Sequence, residues 1–166
     1  MVAPASAGVT AVWDALRDVP DPEVPVISVV ELGIVRDVAL DGDAVTVVVT
    51  PTYSGCPAMR EIERDIVAAL ADRGFGAVTV RTTYSPAWTT DWIGAEAREK
   101  LRAYGIAPPG PAEGPDLVPI RRRSTVPRPY CGSERTTLRS AFGSTACKAI
   151  HFCDACRQPF EEFKAI

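Results

Sequence analysis

Residues 131–166 carry four of the chain's five cysteines, Cys131, Cys147, Cys153 and Cys156, in a stretch too short to build a large apolar core. A segment of this size folds only if something other than hydrophobic burial holds it. The Cys153–Cys156 pair, spaced Cys-x-x-Cys, lets two thiolates reach one ion from a tight turn, and two further sulfurs complete a tetrahedral shell. Disulfides are the competing reading. Five cysteines are an odd count, and the start of the chain has neither the basic n-region nor the apolar core of a secretory signal. A reducing, cytoplasmic location and a metal-bound tail are therefore expected.

In a standard ribbon two Cys-x-x-Cys pairs face each other. Here the second pair is intact, but the position three before Cys131 is Arg128. The fourth ligand is then expected from Cys147, giving an all-thiolate site, with His151 as the alternative nitrogen donor. Thiolate-rich sites select zinc or iron–sulfur clusters, and structural zinc suits a module that cannot fold without it.

Ahead of the tail, residues 107–119 are rich in proline and glycine and read as part of a linker. This gives three segments: a domain over 1–106, a linker over 107–125 and the cysteine-bearing module over 126–166. Residues 9–18 place Val12, Trp13 and Leu16 at helical spacing behind Thr10 as a cap, and Asp21 to Pro25 form a rigid acidic loop. Two valine-rich runs, Gly33–Leu40 and Ala44–Thr50, flank Asp41-Gly42-Asp43, which predicts an antiparallel hairpin. A helical stripe follows over Ala58–Arg73, then a third strand over Gly76–Thr83 and a helix near Ala95–Tyr104 that Gly105 stops. The fold class is α+β, with flanking helices.

Cys56 stands apart from the tail. Pro57 suits a first helical position, so Cys56 is expected as the N-cap of the following helix, where the helix dipole lowers a thiol pKa. Asp21 and Glu23 are candidate metal- or partner-binding carboxylates. Trp88 and Trp92, four apart, read as a core contact or a docking patch. The single histidine, His151, lies in the tail, so no Cys–His catalytic pair is expected beside Cys56. The net charge of −3 supplies no footprint for nucleic acid, despite the run Arg121-Arg122-Arg123, and no apolar stretch approaches a membrane span.

Several long motifs, in order, resemble a known family. Asp21-Pro-Glu-Val-Pro25 with Ser28–Val35, the cysteine loop Thr50–Pro57, and the block Tyr84–Ile93 resemble the cytosolic iron–sulfur assembly domain. The tail Phe142-Gly-Ser-Thr-Ala-Cys-Lys148, followed by Cys153-x-x-Cys156 and Pro159-Phe160, is similar to the PaaD type of phenylacetyl-CoA oxygenase (epoxidase) component. That family's tail begins Cys-Pro-x-Cys, where this chain reads Arg128-Pro-Tyr-Cys131. The resemblance implies a small mixed sheet of about three strands with helices, followed by a zinc-ribbon-like module. It further implies a non-enzymatic accessory to the oxygenase that epoxidises phenylacetyl-CoA in aerobic phenylacetate degradation, maturing its iron–sulfur or di-iron centres. Cys56, with Asp21 and Glu23, matches the family's transfer site for iron or a cluster, and zinc is the structural ion of the tail. The expected partners are the oxygenase subunits or other iron–sulfur client proteins, with a homodimer among the expected states. The second reading is a non-catalytic structural or docking component of the same oxygenase.

Overall fold

The computed structural model of the chain describes residues 5–111 and 125–166. Most of the expected linker, with the run Arg121–Arg123, lies outside the described residues. The described residues divide into two compact units, one ending at Trp88 and one starting at Thr89.

Gly42 makes the first unit's central turn. At φ 60° it adopts the left-handed conformation that a two-residue hairpin loop needs, and it joins β1 (Val35–Asp41) to β2 (Ala44–Val49) in antiparallel register. Helix α2 (Met59–Asp72) then carries the chain over to β3 (Ala77–Thr82), which pairs with β2 in parallel. The sheet order β1-β2-β3 is therefore mixed, with β2 central. Val45, Val47 and Val49 alternate along β2 and are all buried, as a strand with one covered face requires. Ile62, Ile66 and Leu70, four apart on α2, supply part of the cover. Helix α1 (Ala5–Arg17) adds Val12, Ala15 and Leu16, packing on β1 and α2. Thr10, expected as a cap, lies inside this helix, which starts five residues earlier.

In the second unit, α3 (Ala95–Tyr104) ends at Gly105, whose φ of 98° makes it a left-handed C-cap. A two-residue strand β4 (Ile106–Ala107) follows. It joins β5 (Thr136–Ser140), β6 (Lys148–Cys153) and β7 (Gln158–Phe163) in a sheet of order β4-β7-β6-β5. The β5–β6–β7 part is an antiparallel meander, and β4 adds to β7 in parallel. The sequence placed residues 89–106 with the first domain, whereas the compact units group them with the ribbon. Within that unit Arg98 ties the segment down, donating to the carbonyls of Ile93, Thr90 and Pro109. The small core around Ala107, Cys153 and Phe160, with Val126 and Cys156 against it, is what such a module manages by burial alone.

Candidate functional site

The first unit holds three of the expected site residues, the Cys56 thiol and two carboxylates, Asp21 and Glu23, whose charges act on it. Thr50, at the end of β2, opens the loop that leads to Cys56; its amide donates to Ile34 O at 2.8 Å. Gly55, at φ 84°, turns the chain so that the Cys56 amide reaches Tyr53 O at 3.3 Å. The helix begins later than expected. Ala58 already has α-helical dihedrals and is the N-cap, and Met59 is the first helical residue. Cys56 thus sits two residues before the cap rather than at it, half-buried.

This displacement reverses the expected electrostatics. Burial pushes the Cys56 thiol above its ordinary range, and the carboxylates of Glu23 and Asp21 push it further. Hydrogen bonds from the Ala58 amide and the Tyr53 side chain oppose the rise without cancelling it. Cys56 is therefore held protonated rather than as a low-pKa thiolate. Tyr53 is legible from sequence only as part of the cysteine loop; its hydrogen bond to the thiol depends on the Gly55 turn.

Asp21 and Glu23 act on the thiol through their charge, and their own loop is tightly built. Asp21 is 4% exposed, and its Oδ1 accepts the amides of Glu23 at 2.9 Å and Val24 at 2.8 Å. The loop closes further through Asp21 N–H to Ile27 O and an isolated bridge from Pro20 to Ser28. Trp88 is buried, with its indole N–H donating to Leu32 O at 3.0 Å, so it is a core contact and not a docking surface.

In the second unit, Cys131, Cys153 and Cys156 converge, their sulfurs all within 4.8 Å of one another. The Cys131–Cys153 separation is 3.7 Å. Tetrahedral coordination at a zinc–sulfur distance of about 2.3 Å needs sulfur–sulfur edges of about 3.8 Å, so the three thiols fit one such ion. Donation from the Cys156 amide is the main cause that lowers the Cys153 thiol to about 7, against burial, with further donors including the Ala155 amide. Amides aimed at sulfur in this way stabilise the thiolate that binds metal.

Neither expected fourth ligand joins them, and this corrects the four-ligand assignment. Cys147 lies just before β6 and Cys153 at its far end. Six extended residues separate them by about 20 Å. Cys147 is buried, with its sulfur 3.0 Å from Thr145 Oγ1. His151 is committed elsewhere, with Nε2 at 2.7 Å from Glu162 Oε2 and its ring stacked on Phe160. Among the described residues, no helix is long and apolar enough to cross a membrane.

These two sites fit the class that the sequence motifs resemble: an iron–sulfur-assembly-type domain bearing one shielded thiol, followed by a zinc-ribbon-like unit with a cysteine cluster that could hold a metal. Comparison with known proteins is consistent with it. The iron–sulfur cluster assembly protein family matches residues 10–81, which include Asp21, Glu23 and Cys56, and the PaaD zinc beta ribbon domain matches residues 113–164. A protein of Escherichia coli (strain K12) named as one of the subunits of 1,2-phenylacetyl-CoA epoxidase is 46% identical over 93% of this chain and 92% of its own length. The chain belongs to this PaaD family. Shorter relatives match about half of the chain. An Fe-S protein maturation auxiliary factor of Porphyromonas gingivalis is 36% identical over 52% of this chain and 83% of its own. One of Bacillus subtilis is 37% identical over 54% of this chain and 89% of its own. The crystal structure of a domain of unknown function from Bacillus anthracis matches with a TM-score of 0.55 at 26% identity, covering 58% of this chain and 93% of that one.

Proposed function

We propose that this chain is a non-enzymatic accessory protein of a phenylacetyl-CoA monooxygenase complex in the cytoplasm. In this reading it passes iron or an iron–sulfur cluster, through Cys56, to the complex's iron–sulfur or di-iron centres. The observation that carries the reading is that the Asp21 and Glu23 carboxylates both act electrostatically on the half-buried Cys56 thiol.

The chemistry of that arrangement suits transfer better than storage. The two carboxylates that disfavour a bare thiolate are also the groups that attract a cation. An incoming iron ion reverses the balance: it displaces the thiol proton to solvent and is held by sulfur with carboxylate support. When the cargo leaves, the thiol regains its proton, which burial favours. Cys56 thus has no standing negative charge to retain the cargo.

The ribbon supplies the second half of the function. Cys131, Cys153 and Cys156 hold zinc, and their closure around it stabilises a module with little apolar core. An independent thiol enzyme would require a base, and the single histidine is paired with Glu162 inside the ribbon. The test is co-expression of the oxygenase subunits with the wild-type chain or with Cys56→Ser. The variant should yield oxygenase depleted in iron. Full iron occupancy of the oxygenase with the Cys56→Ser chain would sink the idea.

A further inference from the structure

The turn at 128–132 and the turn at 153–157 are built alike. In each, the amide of the fifth residue donates to the carbonyl of the first at 2.9 Å, Gly132 to Arg128 and Arg157 to Cys153. In each, the fifth residue is left-handed, Gly132 at φ 67° and Arg157 at φ 61°. The fourth residues are Cys131 and Cys156. The first residue of one turn is Cys153; the first residue of the other is Arg128.

Arg128 therefore occupies the corner where a matched pair of turns places a fourth sulfur. The residue is 8% exposed, and its Nε–H is buried with no hydrogen-bond partner among the described residues. Its charge acts on the neighbouring Cys156 sulfur, and its guanidinium lies 4.9 Å from the Tyr130 ring centroid. A buried donor without an acceptor is destabilising unless something outside the chain accepts from it.

A guanidinium has no lone pair to give a metal, so it replaces a cysteine in charge but not in coordination. Three thiolates around a divalent ion carry a net −1, which one arginine neutralises. Four would carry −2. The remaining coordination position is left to an external donor, as in zinc sites with three protein ligands. The exposed Cys131 marks the side from which such a donor can enter.

We propose that the Cys131–Cys153–Cys156 centre binds its metal with three protein sulfurs and an exchangeable fourth position, which takes an exogenous thiolate with Arg128 Nε–H as hydrogen-bond donor. A soft, sulfur-rich centre favours a fourth sulfur, and with the arginine beside it the four-thiolate state carries a net −1 rather than −2. The entering thiol binds as thiolate, its proton and the displaced water going to solvent.

This rests on the metal-binding reading of the three thiols, and cobalt substitution separates the two. The full-length chain is loaded with Co(II), its metal content is counted, and 2-mercaptoethanol is titrated while the visible spectrum is followed. The wild type should begin with a three-sulfur spectrum and shift saturably toward a four-sulfur spectrum, with cobalt retained. Arg128→Cys should show the four-sulfur spectrum from the start and lose the response. A wild-type spectrum that 2-mercaptoethanol leaves unmoved, or loss of cobalt to the thiol, would overturn the exchangeable position while leaving metal binding intact. Failure of the wild type to bind cobalt or zinc would overturn both.

Discussion

Asp21 performs two tasks that substitution can separate. Its Oδ1 accepts two amides, from Glu23 and Val24, and its charge disfavours ionisation of Cys56. Asp21→Ala strips both amides of their acceptor. At about 1–3 kcal/mol for each donor left without its acceptor, the first unit should lose roughly 2–6 kcal/mol. Asp21→Asn keeps an oxygen in the same place and loses only the charge assistance, roughly 1–2 kcal/mol for the pair. The same variant removes a carboxylate that pushes the thiol up, so the Cys56 pKa should fall. It should remain above the ordinary thiol range, because burial is the larger cause. The linkage sign follows. A thiol whose folded pKa is raised contributes stability that is full below its unfolded pKa and is lost as pH rises through the folded value, and Asp21→Asn narrows that window from above. Urea midpoints measure the first effect, and peptide-resolved alkylation of Cys56 across pH measures the second. The account is refuted if Asp21→Ala is no less stable than Asp21→Asn, or if Asp21→Asn leaves the pH midpoint of alkylation unchanged.

Three further substitutions probe the frame. Gly105→Ala should destabilise the second unit by about 2 kcal/mol, because φ is 98° and a Cβ would meet Tyr130 Oη at 2.5 Å, displacing its bond to the Tyr104 carbonyl; thermal unfolding reads the loss. Arg157→Gly should raise the midpoint by the equivalent of about 0.5–1 kcal/mol, since relief of the left-handed φ of 61° outweighs the lost guanidinium contact with the Phe152 ring; a lowered midpoint would count against the turn assignment. Trp88→Phe should lower the first unit's stability by about 1–3 kcal/mol by leaving the buried Leu32 carbonyl without its indole donor, measured by urea unfolding.

What could be read from the sequence was local. The Asp41-Gly42-Asp43 hairpin, the stripe of Ile62, Ile66 and Leu70, and the stop at Gly105 each depend on neighbours within a turn or two, and each is where the residues placed it. The pairing of β4 with β7 was not legible, because a two-residue strand acquires its meaning from a partner more than fifty residues later. Cys56 was misplaced for a local reason of another kind. Pro57 is suited to a first helical turn, but Gly55 and the Cys56–Met59 turn delay the helix by two residues, so burial and two distant carboxylates decide the thiol's state instead of the helix dipole. The ribbon's ligands were half legible. Spacing identified Cys153 and Cys156 as one knuckle and Arg128 as the missing corner, yet it could not show that an extended β6 puts Cys147 at the opposite end of the strand from the metal centre. Gly132 and Arg157, one residue after each knuckle's last cysteine, were the available signal that the two turns match.

In the function we propose, one chain carries two chemically independent centres, a retained zinc on Cys131, Cys153 and Cys156 and a transient iron cargo on Cys56. Metals per chain, counted after anaerobic reconstitution with ferrous iron and sulfide in the wild type and in Cys56→Ser, test it directly. The account predicts about one zinc per chain in both, with labile iron bound by the wild type and absent from the variant. Iron retained by Cys56→Ser, or zinc lost from it, would contradict the account.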